Sequence, residues 1–332
     1  MKKFVATLFI TAILAVSALG QSDPPPTLRI VTESPGLPSE LFYGNIKVKP
    51  LRFRPCTTQP CTPVPITIAD SDFFIQQQYI DFLRRFPEAA GLQYYLTDAP
   101  DSLSKCNGDP NCLIGLRGHH ATNFFRSPEF QQKGSFVMYL YMTTVGQRAV
   151  TAAELNDSAR VDRPHYTEFM SDLQSISDPN DDKAIVSGKK DALTVAWLAR
   201  PEIQTRFGSL TNTQFVQKLE STAGVALANE STLIANLNNG TQTRAQVLRA
   251  VAESPEVDAK FYKQAFVTMQ YFGFLRRDPE DCHNPANWGG SDPSQCGYIF
   301  HNNRFNLVGD QHAVEVTMVL GFIESGEYKS RF

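Results

Sequence analysis

Six histidines and six cysteines carry most of the chemistry open to this 332-residue sequence. His119 and His120 are adjacent. Neighbours on a helix point about 100° apart, so the pair is not expected to share one metal as an i, i+4 pair does. No Glu stands between spaced histidines as in a zinc-protease helix, and a structural or surface role is the expectation. His165, Glu168 and Asp172 fall at i, i+3 and i+7 and would suit a metal if they faced one way. A solvated helix face with a histidine near its N-terminus is the plainer reading. His283 would assist a reactive thiol at Cys282 only if that cysteine were unbridged.

Other signatures are missing. Gly-x-Ser-x-Gly and Gly-x-Gly-x-x-Gly do not occur. Gly188-Lys189 lacks the upstream glycine of a phosphate loop. Paired carboxylates of a glycosidase would be hidden among 34 acidic residues. Asp178, Asn180, Asp181 and Asp182 form an acidic turn without the full ligand series of a calcium loop, so turn chemistry is expected. The sequence therefore points to no catalytic residue, no cofactor and no metal.

The cysteines read as disulfides. Cys56 and Cys61, Cys106 and Cys112, and Cys282 and Cys296 each bracket turn-forming residues, which bring the ends of each loop together. Zinc is the alternative, but no pair has Cys-x2-Cys spacing. Disulfides agree with the first residues. Lys2 and Lys3 precede an uncharged apolar run, Phe4 to Ala18, and Ala18-Leu19-Gly20 offers small residues for cleavage. Residues 1–20 are thus expected to be a signal peptide, and the product to be periplasmic, surface-associated or extracellular. Removing two lysines moves the net charge from −3 to −5. No basic cluster suggests nucleic acid, and no later segment is expected to span a membrane.

The elements that would position these groups change character along the chain. Residues 21–69 hold ten prolines, with Ile46-Lys47-Val48-Lys49 and Ile66-Thr67-Ile68 alternating as strands do. This predicts a Pro-rich extended arm with short β strands. From Asp72 the period is helical. Ile75, Tyr79, Phe82, Leu83 and Phe86 share one apolar face, and Asp70, Ser71 and Asp72 offer N-caps.

Two strings recur. Phe74-x4-Tyr79-x2-Phe82-Leu83-Arg84-Arg85-x-Pro87-Glu88 returns as Phe266-x4-Tyr271-x2-Phe274-Leu275-Arg276-Arg277-x-Pro279-Glu280. Some way after each, Phe124-x2-Ser127-x-Glu129-Phe130 matches Phe322-x2-Ser325-x-Glu327-Tyr328. Weaker echoes at Tyr139–Arg148, Leu198–Ile203, Phe215–Leu219 and Val251–Val257 divide the chain into units near 72–133, 134–207, 208–259 and 260–332. The expected fold is all-α, with repeated helical units stacked into one or two bundles (units one and two over 70–207, three and four over 208–332). One irregular helical domain with duplicated ends is the alternative.

These strings resemble the bacterial domain-of-unknown-function 4214 family, and more narrowly the exported acidobacterial proteins that carry it. The resemblance covers roughly 72–332 and is most specific from Ala265 to Glu280. It implies a helical module related to phycobilisome linker domains, attached to secreted or surface proteins, and no catalytic residue. The family's glycine and aromatic pair are matched by Gly91-Leu92-Gln93-Tyr94-Tyr95. The last copy departs with Gly297-Tyr298-Ile299-Phe300 after a long cysteine-bracketed loop, so its second helix is expected to be displaced or reshaped.

The two strings also carry the charges common to both end copies. An arginine of the first is expected to clamp the glutamate of the second: Arg84 or Arg85 with Glu129, and Arg276 or Arg277 with Glu327. Function is read as a non-catalytic interaction or scaffolding module at the cell exterior, bound to an unidentified protein or exopolymer. The alternative is an extracellular hydrolase, with polysaccharide as a substrate class.

Overall fold

The computed structural model describes the backbone of 28–31, 40–43 and 46–49, and residues 67–146, 164–280, 282, 289–292, 295–305 and 310–332. Strands β1 (Leu28–Val31), β2 (Glu40–Tyr43) and β3 (Ile46–Lys49) pair antiparallel in that order, with an irregularity between Leu41 and Phe42. Cys56, Cys61 and Ile66 lie outside the described residues. The strand expected over 66–68 does not extend into Thr67 and Ile68, which enter a turn. Asp70 causes it, accepting from the Thr67 amide at 2.7 Å. That carboxylate is thereby spent on the turn, and makes no side-chain cap on the helix it precedes.

Beyond the turn, the described residues contain helices and no strand. Helix α1 (Ser71–Gln78) widens into a π turn over Tyr79–Leu83 that ends at Arg84 in the left-handed region, φ 60°. The last copy repeats this shape, whose extra residue per turn resets the face presented afterwards. Its long helix, described below, runs into a π turn over Gln270–Leu275 and stops at Arg276, φ 56°. Because the first helix stops at Leu83, Phe86 does not continue the buried face of Ile75, Tyr79, Phe82 and Leu83. It is 37% exposed.

After α1 come α2 (Ala89–Gln93) with a π turn over Tyr94–Asp98, α3 (Pro110–Arg126), α4 (Pro128–Phe130) and α5 (Phe136–Thr144). Every residue of α5 is buried, as expected of an element apolar on all sides and packed at a centre. It packs against α6 (Tyr166–Ile176), α9 (Asn212–Ala223), α11 (Arg244–Ala252) and α12 (Pro255–Met269). Around these lie α7 (Lys183–Leu198), α8 (Pro201–Phe207) and α10 (Glu230–Asn238). The chain closes with α13 (Gly297–Arg304), α14 (Gln311–Ile323) and α15 (Gly326–Lys329).

The second string is a helix start. Ser127, Ser254 and Ser325 each accept, through the side-chain hydroxyl, the amide three residues on, at 3.1, 3.3 and 3.1 Å. At Arg200-Pro201 the serine is replaced, and α8 has no side-chain cap.

The two end copies meet directly. Helices α3 and α14 pack together, closely enough that a Cβ at Gly118 would lie 2.6 Å from Leu320. The π turns also meet, ring to ring, through Phe82 and Phe274. One continuous apolar core runs from Phe74 to Tyr328.

Candidate functional site

The duplicated strings assemble into two similar clusters. In the first, Arg85 donates from Nε and Nη2 to the two oxygens of Glu129, each at 2.8 Å, and pairs with Glu88 at 2.7 Å. Its guanidinium lies 5.0 Å from the centre of the Tyr79 ring. In the second, Arg277 donates from Nε and Nη2 to Glu327 at 2.6 and 3.1 Å, pairs with Glu280 at 2.8 Å, and lies 5.3 Å from the Tyr271 ring. Burial opposes the charge on Arg85, but the bonds from Glu129 and Glu88 outweigh it and raise its pKa. For Arg277 the bond to Glu327 is itself the largest influence, again upward. The clusters differ in wetness. Arg85 and Glu129 are 7% and 12% exposed, against 37% and 46% for Arg277 and Glu327.

The first arginine of each pair does something else. Arg84 and Arg276 occupy the left-handed positions that end the π turns, so they leave in another direction and take no part in the Glu129 and Glu327 pairs. Arg276 crosses to the other copy and pairs with Asp81 at 2.7 Å. Arg331 reaches the same carboxylate at 3.1 Å, and Asp81 is 1% exposed. The position equivalent to Asp81 in the last copy is Gly273, where a Cβ would stand 2.9 Å from the Phe82 ring.

The remaining candidates separate. His165 bonds Asp278 through Nδ1 at 2.8 Å, its amide donates to Glu168 at 3.3 Å, and Asp172 pairs with Arg200 at 2.5 Å. These three therefore do not converge. In the acidic turn, Asp178 accepts the amides of Asn180 and Asp182 at 3.0 and 3.1 Å, and Asp182 caps α7 through the Ala184 and Ile185 amides. Asp181 is held by Lys133 and Lys183. The amide donated by Asp182 is the leading cause of a lowered Asp178 pKa. Cys106–Cys112 and Cys282–Cys296 are bridged, so Cys282 is no thiol. Cys56, Cys61 and His283 lie outside the described residues.

A polar seam runs where α3 meets α14. His119, Asn123 and Arg126, at i, i+4 and i+7, bring polar groups to one side of α3. Arg126 meets His312 at 2.7 Å and Glu315 at 3.5 Å. Glu315 is wholly buried and also accepts from Gln311 at 3.0 Å. Burial, then Glu315, raise the pKa of Tyr262 beside it. An open depression of about 590 Å3 adjoins, lined by Arg126, Gln131, Asp258, Tyr262, Lys263 and Gln311.

At the other end of the seam, Asp101 comes in from the loop before α3. His119 Nε2 is 3.1 Å from its carboxylate and 2.9 Å from the Asn123 amide. His120 Nε2 donates to the Asp101 carbonyl at 2.9 Å. One ligating atom from each of Asp101, His119 and His120 lies within 4.8 Å of the others. The adjacent histidines therefore converge, against the expectation from helix geometry alone. Their ring centres are 5.6 Å apart, and the loop residue bridges them. Nothing in the sequence around Asp101 announces this role. The contact exists only once the loop folds back on α3.

No family model matches the chain, and neither a curated protein nor a solved structure matches it.

Proposed function

We propose that this chain is a non-catalytic interaction or scaffolding module that works outside the cytoplasm, of the kind its resemblance to the domain-of-unknown-function 4214 family implies. The observation that carries the reading is a duplicated aromatic corner. Tyr94, 51% exposed, sits against Tyr95, which stacks on Phe124. Phe300, 41% exposed, sits against His301, which packs on Phe322. Counted from Gly91 and Gly297, the two corners occupy the same places in their copies. Each is joined through ring contacts to its Arg–Glu cluster, Tyr95 by way of Tyr79 and His301 by way of Phe322 and Tyr271. Rigid exposed aromatics contribute contact area at low entropy cost.

Two bridged cysteine pairs favour an oxidising compartment. Among the described residues no helix is long and apolar enough to cross a membrane. The hydrolase reading gains little from Glu315, whose carboxylate accepts from Gln311, faces Arg126 at 3.5 Å and is wholly buried.

The test is capture of partners from envelope and exopolymer fractions, by the wild-type chain and by the Tyr94→Ser/Phe300→Ser variant. A partner retained by the first and lost by the second supports the module. Turnover of a polysaccharide panel by the purified wild type would replace it with the hydrolase.

A further inference from the structure

We propose that Asp101, His119 and His120 form a binding site for a divalent transition metal of the zinc type, seated between the α3 helix and the loop before it. Ser102 is buried, its amide bonds the Ala99 carbonyl at 3.0 Å and its hydroxyl the Thr97 carbonyl at 3.0 Å. The next residues form a short 3-10 turn, Leu103–Cys106, and Cys106 is bridged to Cys112 in the first turns of α3. Asp101 is thus fixed to the helix that carries both histidines. A site assembled before the ion arrives has little ordering entropy left to lose.

The donor set selects the ion. Two imidazoles and one carboxylate suit zinc, cobalt, nickel, copper or iron, whereas calcium and magnesium take oxygen ligands. Ligands on a tetrahedral zinc stand about 3.4 Å apart, given bonds of about 2.0–2.2 Å. The present separations of up to 4.8 Å need only a modest closing movement. Asp101 and His119 have partly exposed side chains, whose rotation supplies it while the backbone stays fixed. His120 is the fixed member, buried, with its ring 5.2 Å from Tyr95.

Position gives the site a consequence. The His119 ring lies 5.5 Å from that of His312, which belongs to α14 and hence to the other end copy. An ion at Asp101, His119 and His120 would sit at the edge of the interface between the copies and rigidify it. Its donor atoms include neither of the exposed rings Tyr94 and Phe300, so the site is tested apart from the module reading even though His120 packs on Tyr95.

The experiment uses the disulfide-bonded chain without an affinity tag. Zn2+ is titrated by calorimetry, and Co2+ by visible absorption. Expected are one Zn2+ per chain at micromolar concentration or below, Co2+ ligand-field bands, and a rise in Tm on adding Zn2+. His119→Gln and Asp101→Asn, at partly exposed positions, should each weaken binding by about tenfold or more while the circular dichroism stays unchanged. Wild-type affinity in both variants, or no binding by the wild type, overturns the site.

Discussion

The rings of Phe82 and Phe274 lie 5.2 Å apart, edge to face, although the two residues hold the same place in their respective copies. Equivalent residues touch one another where both lie close to the axis that relates their copies, as at the centre of an isologous contact. Around this contact the other matched features fall in place: two π turns, two left-handed arginines, two Arg–Glu clusters.

Asp81 holds Arg276 and Arg331 with almost no access to water. Asp81→Ala leaves two guanidinium groups without their carboxylate, and breaking a buried pair costs about 3–5 kcal/mol. Urea unfolding followed by circular dichroism should show a loss of this size. A loss under about 1 kcal/mol would mean that water reaches the site.

The two Arg–Glu clusters should differ in worth. Glu129→Gln removes charge from a nearly dry pair and is expected to cost on the order of 3 kcal/mol. Glu327→Gln acts on a wetter pair and should cost under about 1 kcal/mol. Equal losses from the two variants in one denaturation series would refute this ordering.

How far was this arrangement legible beforehand? The pairing of strings was, because an arginine and a glutamate recurring at nearly fixed separation must answer to one geometry. Which arginine would be used was not. The choice between Arg84 and Arg85 is made by the π turn, which ends in a left-handed residue, and a widened turn leaves no mark in the apolar period. Asp81 was also invisible, since its partners come from the far copy and it stands at one of the unmatched positions of the repeat, opposite Gly273. Asp101 was missed for a similar reason: its neighbours are made by a loop, and loops have no period.

His301 titrates in a defined direction. Burial against Phe322 lowers its pKa below the ordinary value of about 6.5, Arg304 adds to this, and Glu280 opposes it. Its Nδ1 is buried without a hydrogen-bond partner among the described residues. The unfolded chain therefore takes up the proton first, so this contribution is intact above about pH 6.5 and is lost as pH falls toward the folded value. Thermal melts from pH 8 to 5 should show Tm falling on the acid side. His301→Tyr, which copies the residue at position 95, should flatten part of that slope.

The disulfides should matter by loop length. Closing 6 and 14 residues corresponds, in the chain-entropy picture, to about 2 and about 3 kcal/mol for Cys106–Cys112 and Cys282–Cys296. Paired Cys→Ser variants measured by urea unfolding check the order. Peptide mapping without reduction checks the linkages themselves, including the expected Cys56–Cys61, and a link between members of different pairs would sink the local pattern.

Gly273 opposite Asp81 says something about what the tether between the copies makes possible. In an isologous homodimer every residue appears on both sides of the axis, so an aspartate at this position would have to be accommodated twice. Here one side cannot take it, because even a methyl group at position 273 would press on Phe82. The other side uses it to hold two arginines. Joining both halves in one polypeptide removes the requirement of self-complementarity. The junction can then be a lock and a key, where an untethered pair would have to be two identical compromises.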